Sequence, residues 1–203
     1  MKKAIDLHLI GEKLEFNDAR EQTNGQRSEG IMTIAAGKKG PGAHKHMLQT
    51  EGFEVISGRM VAIVNGKEVV ANAGETILVL PGESHSFLNG STEEPLVAKF
   101  WYEPALHTEW MLQTMGEEAM EKGGDWDKVS ALPAIYMFYK MRKEYRLAGL
   151  PYWAQDLLLG IGAGIATLTG AAKKVTLPES LSAQTSVRQR QASSQPIELK
   201  QPV

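Results

Sequence analysis

Gly42-Ala43-His44-Lys45-His46-Met47-Leu48-Gln49-Thr50-Glu51-Gly52-Phe53-Glu54-Val55-Ile56-Ser57-Gly58 places two imidazoles two residues apart and a carboxylate five residues after the second. In an extended strand the side chains at i and i+2 share a face, so His44 and His46 can grip one ion together. A second stretch, Gly74-Glu75-Thr76-Ile77-Leu78-Val79-Leu80-Pro81-Gly82-Glu83-Ser84-His85-Ser86-Phe87-Leu88-Asn89, adds a third imidazole at His85. Three of the five histidines therefore fall inside two short segments. Donors of N, N, N and O type suit a first-row divalent ion, for which imidazole and carboxylate are natural ligands, and six-coordination would leave two positions open. The expected cofactor is one divalent transition-metal ion (Fe, Mn, Ni or Zn), held by His44, His46, Glu51 and His85.

These two stretches resemble the paired motifs of the cupin superfamily. The first motif, His-x-His, four residues, Glu, six residues, Gly, is met by His44, His46, Glu51 and Gly58. The second, Gly, five residues, Pro-x-Gly, two residues, His, three residues, Asn, is met by Gly74, Gly82, His85 and Asn89. Two positions depart from it: Leu80 stands at the first Pro, with Pro81 beside it, and Lys38 stands where a Gly is expected six places before His44. Neither is a ligand, so both bear on loop geometry. The resemblance covers roughly residues 14–102 and implies a mainly β fold, a cupin-type antiparallel β-barrel or jelly roll, followed here by a C-terminal α-helical extension.

Composition narrows the rest. With 203 residues, 42% hydrophobic and 23% charged, the chain can bury one sizeable core and carry an extension. A net charge of −2 gives no electrostatic case for nucleic acid as a partner. Cysteine is absent, which excludes disulfides and thiolate ligands and is compatible with a reducing cytoplasm. Near the N-terminus Asp6, His8, Glu12 and Lys13 interrupt any apolar run, so export is not expected and a cytoplasmic location is.

Along the chain, residues 1–28 read as one strand near residues 13–16 and then a polar loop or arm over 17–28, with His8, between Leu7 and Leu9, read as structural. Residues 29–103 read as the barrel: short strands at 30–36, 53–56, 60–64, 68–71, 76–80, 85–88 and 96–102, with Asn65-Gly66 as a type I′ hairpin signal. Alternation in phase with the histidines puts Phe53, Val55 and Phe87 on the inward face, with Met60 and one phase of the last strand as further lining. An apolar, aromatic-lined pocket without clustered Arg or Lys suits a flat or hydrophobic small molecule and not a phosphorylated sugar.

Residues 104–172 read as helical. Apolar positions at Leu106, Trp110, Met111, Met115 and Met120 predict a helix over 106–121, with His107 at its surface or cap. A second helix is expected over 133–147, its basic second half complementing the helix dipole. Residues 157–172 carry no Asp or Glu and contain Gly160, Gly162 and Gly164. At 16 residues without a charge the run is short of a membrane span, so a helix buried against the barrel or a partner subunit is expected. The Ser/Gln/Pro-rich residues 173–203 lack apolar periodicity and read as a disordered tail.

The resemblance extends to quercetinase-like dioxygenases. It implies an oxygen-dependent enzyme acting on a small, largely apolar or aromatic molecule, with Glu51 both a ligand and a candidate base. The alternative is a non-catalytic small-molecule or metal-binding protein, and an isomerase is a third reading, because one fold hosts many chemistries. Open sheet edges and Met- and Trp-bearing helices favour a homodimer.

Overall fold

The computed structural model describes residues 4–179. Eleven strands form two antiparallel sheets. The first, ordered β1-β2-β3-β10-β5-β8, joins β1 (Ala4–Leu7), β2 (Glu12–Phe16), β3 (Ser28–Ile34), β10 (Leu96–Glu103), β5 (Thr50–Ser57) and β8 (Thr76–Val79). The second, ordered β11-β4-β9-β6-β7, joins β11 (Tyr145–Leu147), β4 (His44–His46), β9 (His85–Asn89), β6 (Arg59–Val64) and β7 (Lys67–Asn72). This is the expected jelly roll with C-terminal helices.

Strict alternation explains the fold. In β2 and β3 every second residue is buried, and the inward set Leu14, Phe16, Met32 and Ile34 packs on Phe53, Phe87 and Phe100. At about 25 cal/mol per Å² of apolar surface removed from water, such a continuous inner layer is what holds the two sheets together. The β6–β7 hairpin turns at Asn65 and Gly66 with φ of 51° and 79°, the double left-handed pair that a type I′ turn needs. Pairing of β4 with β9 sets His44 directly opposite His85, so the second sheet itself joins the two sequence motifs.

The N-terminal segment adds more sheet than its sequence suggests: β1 pairs with β2, and both extend the sheet that contains β5. Four helices follow the same chain order: α1 (Ala19–Gln22), α2 (Thr108–Glu121), α3 (Ala131–Met141) and α4 (Tyr152–Leu168). Helix α2 starts at Thr108 rather than at 106, because Leu106 takes a φ of 37°. Helix α3 ends at Met141, not at 147. The chain then runs extended as β11, which pairs with β4 at Tyr145↔His46 and Leu147↔His44. The basic residues read as a helix end thus straddle a strand, and tertiary pairing overrides local propensity.

Helix α4 begins at Tyr152, earlier than expected, and packs on α3 rather than on the barrel wall. Gly162 is the glycine that makes the packing possible: a Cβ there would lie 2.5 Å from Ile135 Cγ2, whereas one on Gly164 would meet nothing within 4 Å. Gln155, Ala163 and Ala166 are buried, but Leu157, Leu158, Ile161, Ile165 and Leu168 remain exposed. No described helix is long and apolar enough to cross a membrane. Order continues past Lys173: Ala171–Lys174 form a 3-10 turn and Val175 is buried against Met111, Met137 and Met141. The rest of the expected tail, residues 180–203, lies outside the described residues.

Candidate metal centre

All four expected ligands converge. One donor atom from each of His44, His46, Glu51 and His85 lies within 4.8 Å of the others, and all four residues are buried. His44 and His46 come from β4, Glu51 from β5 of the facing sheet, and His85 from β9. The site therefore sits between the two sheets, and neither sheet alone could build it.

Tautomers follow from the outer partners. His44 Nδ1 is 2.8 Å from Gly42 O and His85 Nδ1 is 3.2 Å from Glu83 O, so each donates its proton to a carbonyl. His46 Nδ1 lies 3.2 Å from Gln49 Oε1. That oxygen also accepts from Thr108 Oγ1 at 2.7 Å, while Gln49 Nε2 donates to Pro104 O and Ala105 O, both at 2.9 Å, which fixes the amide orientation. With every Nδ1 protonated, Nε2 is the nitrogen each ring turns inward, and those of His44 and His46 stand only 3.2 Å apart.

Two inward atoms, Glu51 Oε2 and His85 Nε2, are buried without a hydrogen-bond partner. They lie 2.5 Å apart but outside hydrogen-bonding alignment, so their closeness is an ion contact and not a hydrogen bond. Buried polar atoms cost free energy unless satisfied, and one cation at the common point would satisfy them all. Three imidazoles and a carboxylate fit a first-row divalent ion.

The electrostatics agree. Burial pushes His44 down to about 4, against the pull of Glu51, and burial likewise lowers His46, so both are neutral ligands at neutral pH. Burial would raise Glu51, but His46 and His85 outweigh it and hold the carboxyl at about 2. His85 is opposed by burial yet raised by the Glu51 carboxylate beside it. The group thus presents a carboxylate and at least two neutral imidazoles without any cost of deprotonation.

Two phenols complete the surroundings. Burial, with the Glu51 charge beside it, raises Tyr102, which keeps its proton next to that carboxylate. Tyr145 stacks on His44 with ring centroids 5.0 Å apart at 21°, and meets His46 edge-on at 5.6 Å. Glu12, on the inward face of β2, lines the same cavity. Burial raises it, and it accepts from Trp126 Nε1 at 3.0 Å. The cavity is about 60 Å³ and is walled by Leu14, Met32, Phe53, Phe87 and Phe100 beside the ligands. Phe53 and Phe87 line it as expected; Val55 and Met60 instead belong to the apolar core.

His107 corrects its sequence reading as a surface or capping residue. It is 1% exposed, and its Nδ1 sits 2.9 Å from Glu144 Oε1. Glu144 also accepts from Met47 N through its own carbonyl, so the pair ties the start of α2 and the end of β4 to the approach to β11. Sequence reasoning missed Gln49, Glu12, Thr108 and Tyr145. Gln49 carried a signal, three residues beyond His46 inside the spacer before Glu51; Tyr145 carried none, because it was read as helix.

A two-sheet jelly roll with three imidazoles and a carboxylate between its sheets defines a metal-site cupin architecture. Residues 30–102 match the family model described as Cupin domain, so this stretch of the chain is a cupin domain. No curated protein matches the chain. Among solved structures it is similar to a predicted oxalate decarboxylase from Thermotoga maritima, at 24% identity and a TM-score of 0.43, covering 51% of this chain and 92% of that one. It is also similar to a cupin domain from Schizosaccharomyces pombe, at 16% identity and a TM-score of 0.42, covering 46% of this chain and 64% of that one. A sugar phosphate isomerase from Silicibacter pomeroyi gives 21% identity and a TM-score of 0.40, covering 46% and 59%. The chain therefore spans less than two thirds of the length of these last two.

Proposed function

We propose that this protein is a cytoplasmic mononuclear metal cupin that works as an oxygen-dependent dioxygenase on a small, largely apolar or aromatic molecule. The observation that carries the reading is the pair of orphaned buried atoms, Glu51 Oε2 and His85 Nε2, at the point where the His44 and His46 lone pairs also meet. When bound there, a divalent ion such as Fe(II) would supply Lewis acidity and a binding place for dioxygen and substrate.

The chain's own groups supply the rest. Phe53, Phe87, Phe100 and Met32 exclude water from the ligand face, which strengthens every polar interaction inside. Tyr102 keeps its proton beside the Glu51 carboxylate, so it can share a proton with it. Glu51 is the base candidate, and Glu12 is a second carboxyl in the same cavity wall. At about 60 Å³ the cavity holds a reacting group of a few atoms rather than a whole polycyclic molecule.

The test is anaerobic loading with Fe(II), addition of nitric oxide as an oxygen surrogate, and electron paramagnetic resonance. A nitrosyl signal that shifts when a small aromatic ligand is added supports the enzyme, and oxygen consumption then identifies substrates. Full iron occupancy without a nitrosyl would show a metal closed to diatomic ligands and leave the non-catalytic binder.

A further inference from the structure

A second space opens beside Tyr145. It is a groove of about 230 Å³ lined by Phe138, Leu147, Leu150, Leu158 and Leu159, with Gln155 and Tyr145. Tyr145 is the one residue common to its lining and that of the metal cavity. Its ring stacks on His44 and also packs against Phe138 at 5.4 Å between centroids.

The groove offers a ligand almost nothing polar. Its Gln155 amide is fully engaged: Oε1 accepts from Leu147 N at 3.1 Å, and Nε2 donates to Leu147 O at 3.0 Å and Leu150 O at 2.8 Å. Those bonds clamp β11 to α4, as does the Arg146–Asp156 pair at 2.7 Å, so the polar groups that hold the walls are engaged with one another. Leu147, Leu150 and Leu158 are nevertheless 50%, 46% and 60% exposed, an apolar rim left to solvent beside a concave surface.

The geometry points to this groove as a tail subsite: the protein takes an amphiphile with a small chelating head for the metal cavity and an unbranched alkyl or arylalkyl tail along β11, α3 and α4. This rests on the metal-site reading above and deepens it. It explains how a cavity of about 60 Å³ can serve an apolar substrate, since only the head enters it. It also gives the helical extension a task, because β11, α3 and α4 all come from that extension. If a methylene takes about the share of a liquid water, roughly 30 Å³, the 230 Å³ groove holds about eight of them.

The experiment is calorimetric titration with straight-chain hydroxamates of increasing length, from acetohydroxamate to dodecanohydroxamate, on Zn(II)-loaded and on metal-free protein. The expected result is a dissociation constant that falls about fourfold per added methylene and levels off after about eight carbons. The slope should appear in both forms, with a constant offset in favour of the loaded protein. Leu158→Asp and Leu150→Asp, both at exposed positions, should flatten the slope and leave acetohydroxamate binding to the loaded protein unchanged. An offset without a slope, or a slope that both variants retain, overturns the groove and leaves the metal site standing. A slope without an offset keeps the groove and removes the metal reading; neither slope nor offset refutes both.

Discussion

Replacing Gln49 with Leu isolates the partner that orients His46. Gln49 is fully buried and holds four groups at once: His46 Nδ1, Thr108 Oγ1, Pro104 O and Ala105 O. Leucine fills much of the volume but satisfies none of them. At about 1 kcal/mol for each buried partner left unmade, with the Thr108 hydroxyl free to rotate elsewhere, the loss is about 3–4 kcal/mol. For a chain of this size that is a melting-point drop of roughly 10 °C. His46 would also lose the acceptor that keeps its proton on Nδ1, and the loss of such a partner weakens metal binding about 10- to 100-fold. Thr108→Val removes one bond to the same oxygen and should cost about 1 kcal/mol with a much smaller effect on the metal. Competition against a calibrated chelator measures affinity, and thermal melts of the metal-free protein measure stability. A folded Gln49→Leu protein that is destabilised as expected but binds metal within twofold of the wild type would show that Gln49 only braces the β5 approach and does not orient His46.

Other outcomes follow from the same geometry. His46→Ala should abolish stoichiometric metal, read by elemental analysis, while far-ultraviolet circular dichroism still reports a folded barrel; retained metal would remove His46 from the ligand set. Glu12 is raised by burial, so between the ordinary carboxyl range and its higher folded value the unfolded chain holds fewer protons than the folded one. Stability therefore falls as pH rises through that window and stays lowered above it. Glu12→Gln keeps an acceptor for Trp126 Nε1 and should raise the melting temperature at neutral pH, with the gain vanishing in acid; an equal gain at both pH values would contradict a titration origin. Leu157, Ile161, Ile165 and Leu168 form an uncharged outer stripe on α4, and we propose that a second copy covers it; light scattering should return a dimer mass, and a monomer mass at micromolar concentration would refute it.

The barrel was legible because β periodicity and the burial pattern coincide. Strands such as β3 and β9 alternate cleanly, and Asn65-Gly66 marks its hairpin without ambiguity. The ligands were legible because His-x-His on one strand needs only the period of two to converge. The surroundings of the site were not, for a physical reason: they are supplied by segments distant in sequence. Tyr145 reaches His44 only because β11 pairs with β4 across about a hundred residues of chain, and local composition around Lys143 and Arg146 favours helix. Glu12 sits at an inward position of a short strand whose partner β1 carries no strong signal. His107 lay beside an expected helix start, but its burial depends on Glu144 from beyond α3.

X-ray absorption fine structure on the protein loaded with one equivalent of Zn(II) tests the central claim most directly. The account predicts three imidazoles and one carboxylate oxygen at about 2.0–2.2 Å, with one imidazole lost in His85→Ala. Two imidazoles or fewer in the wild type, or a spectrum unchanged by His85→Ala, would contradict it.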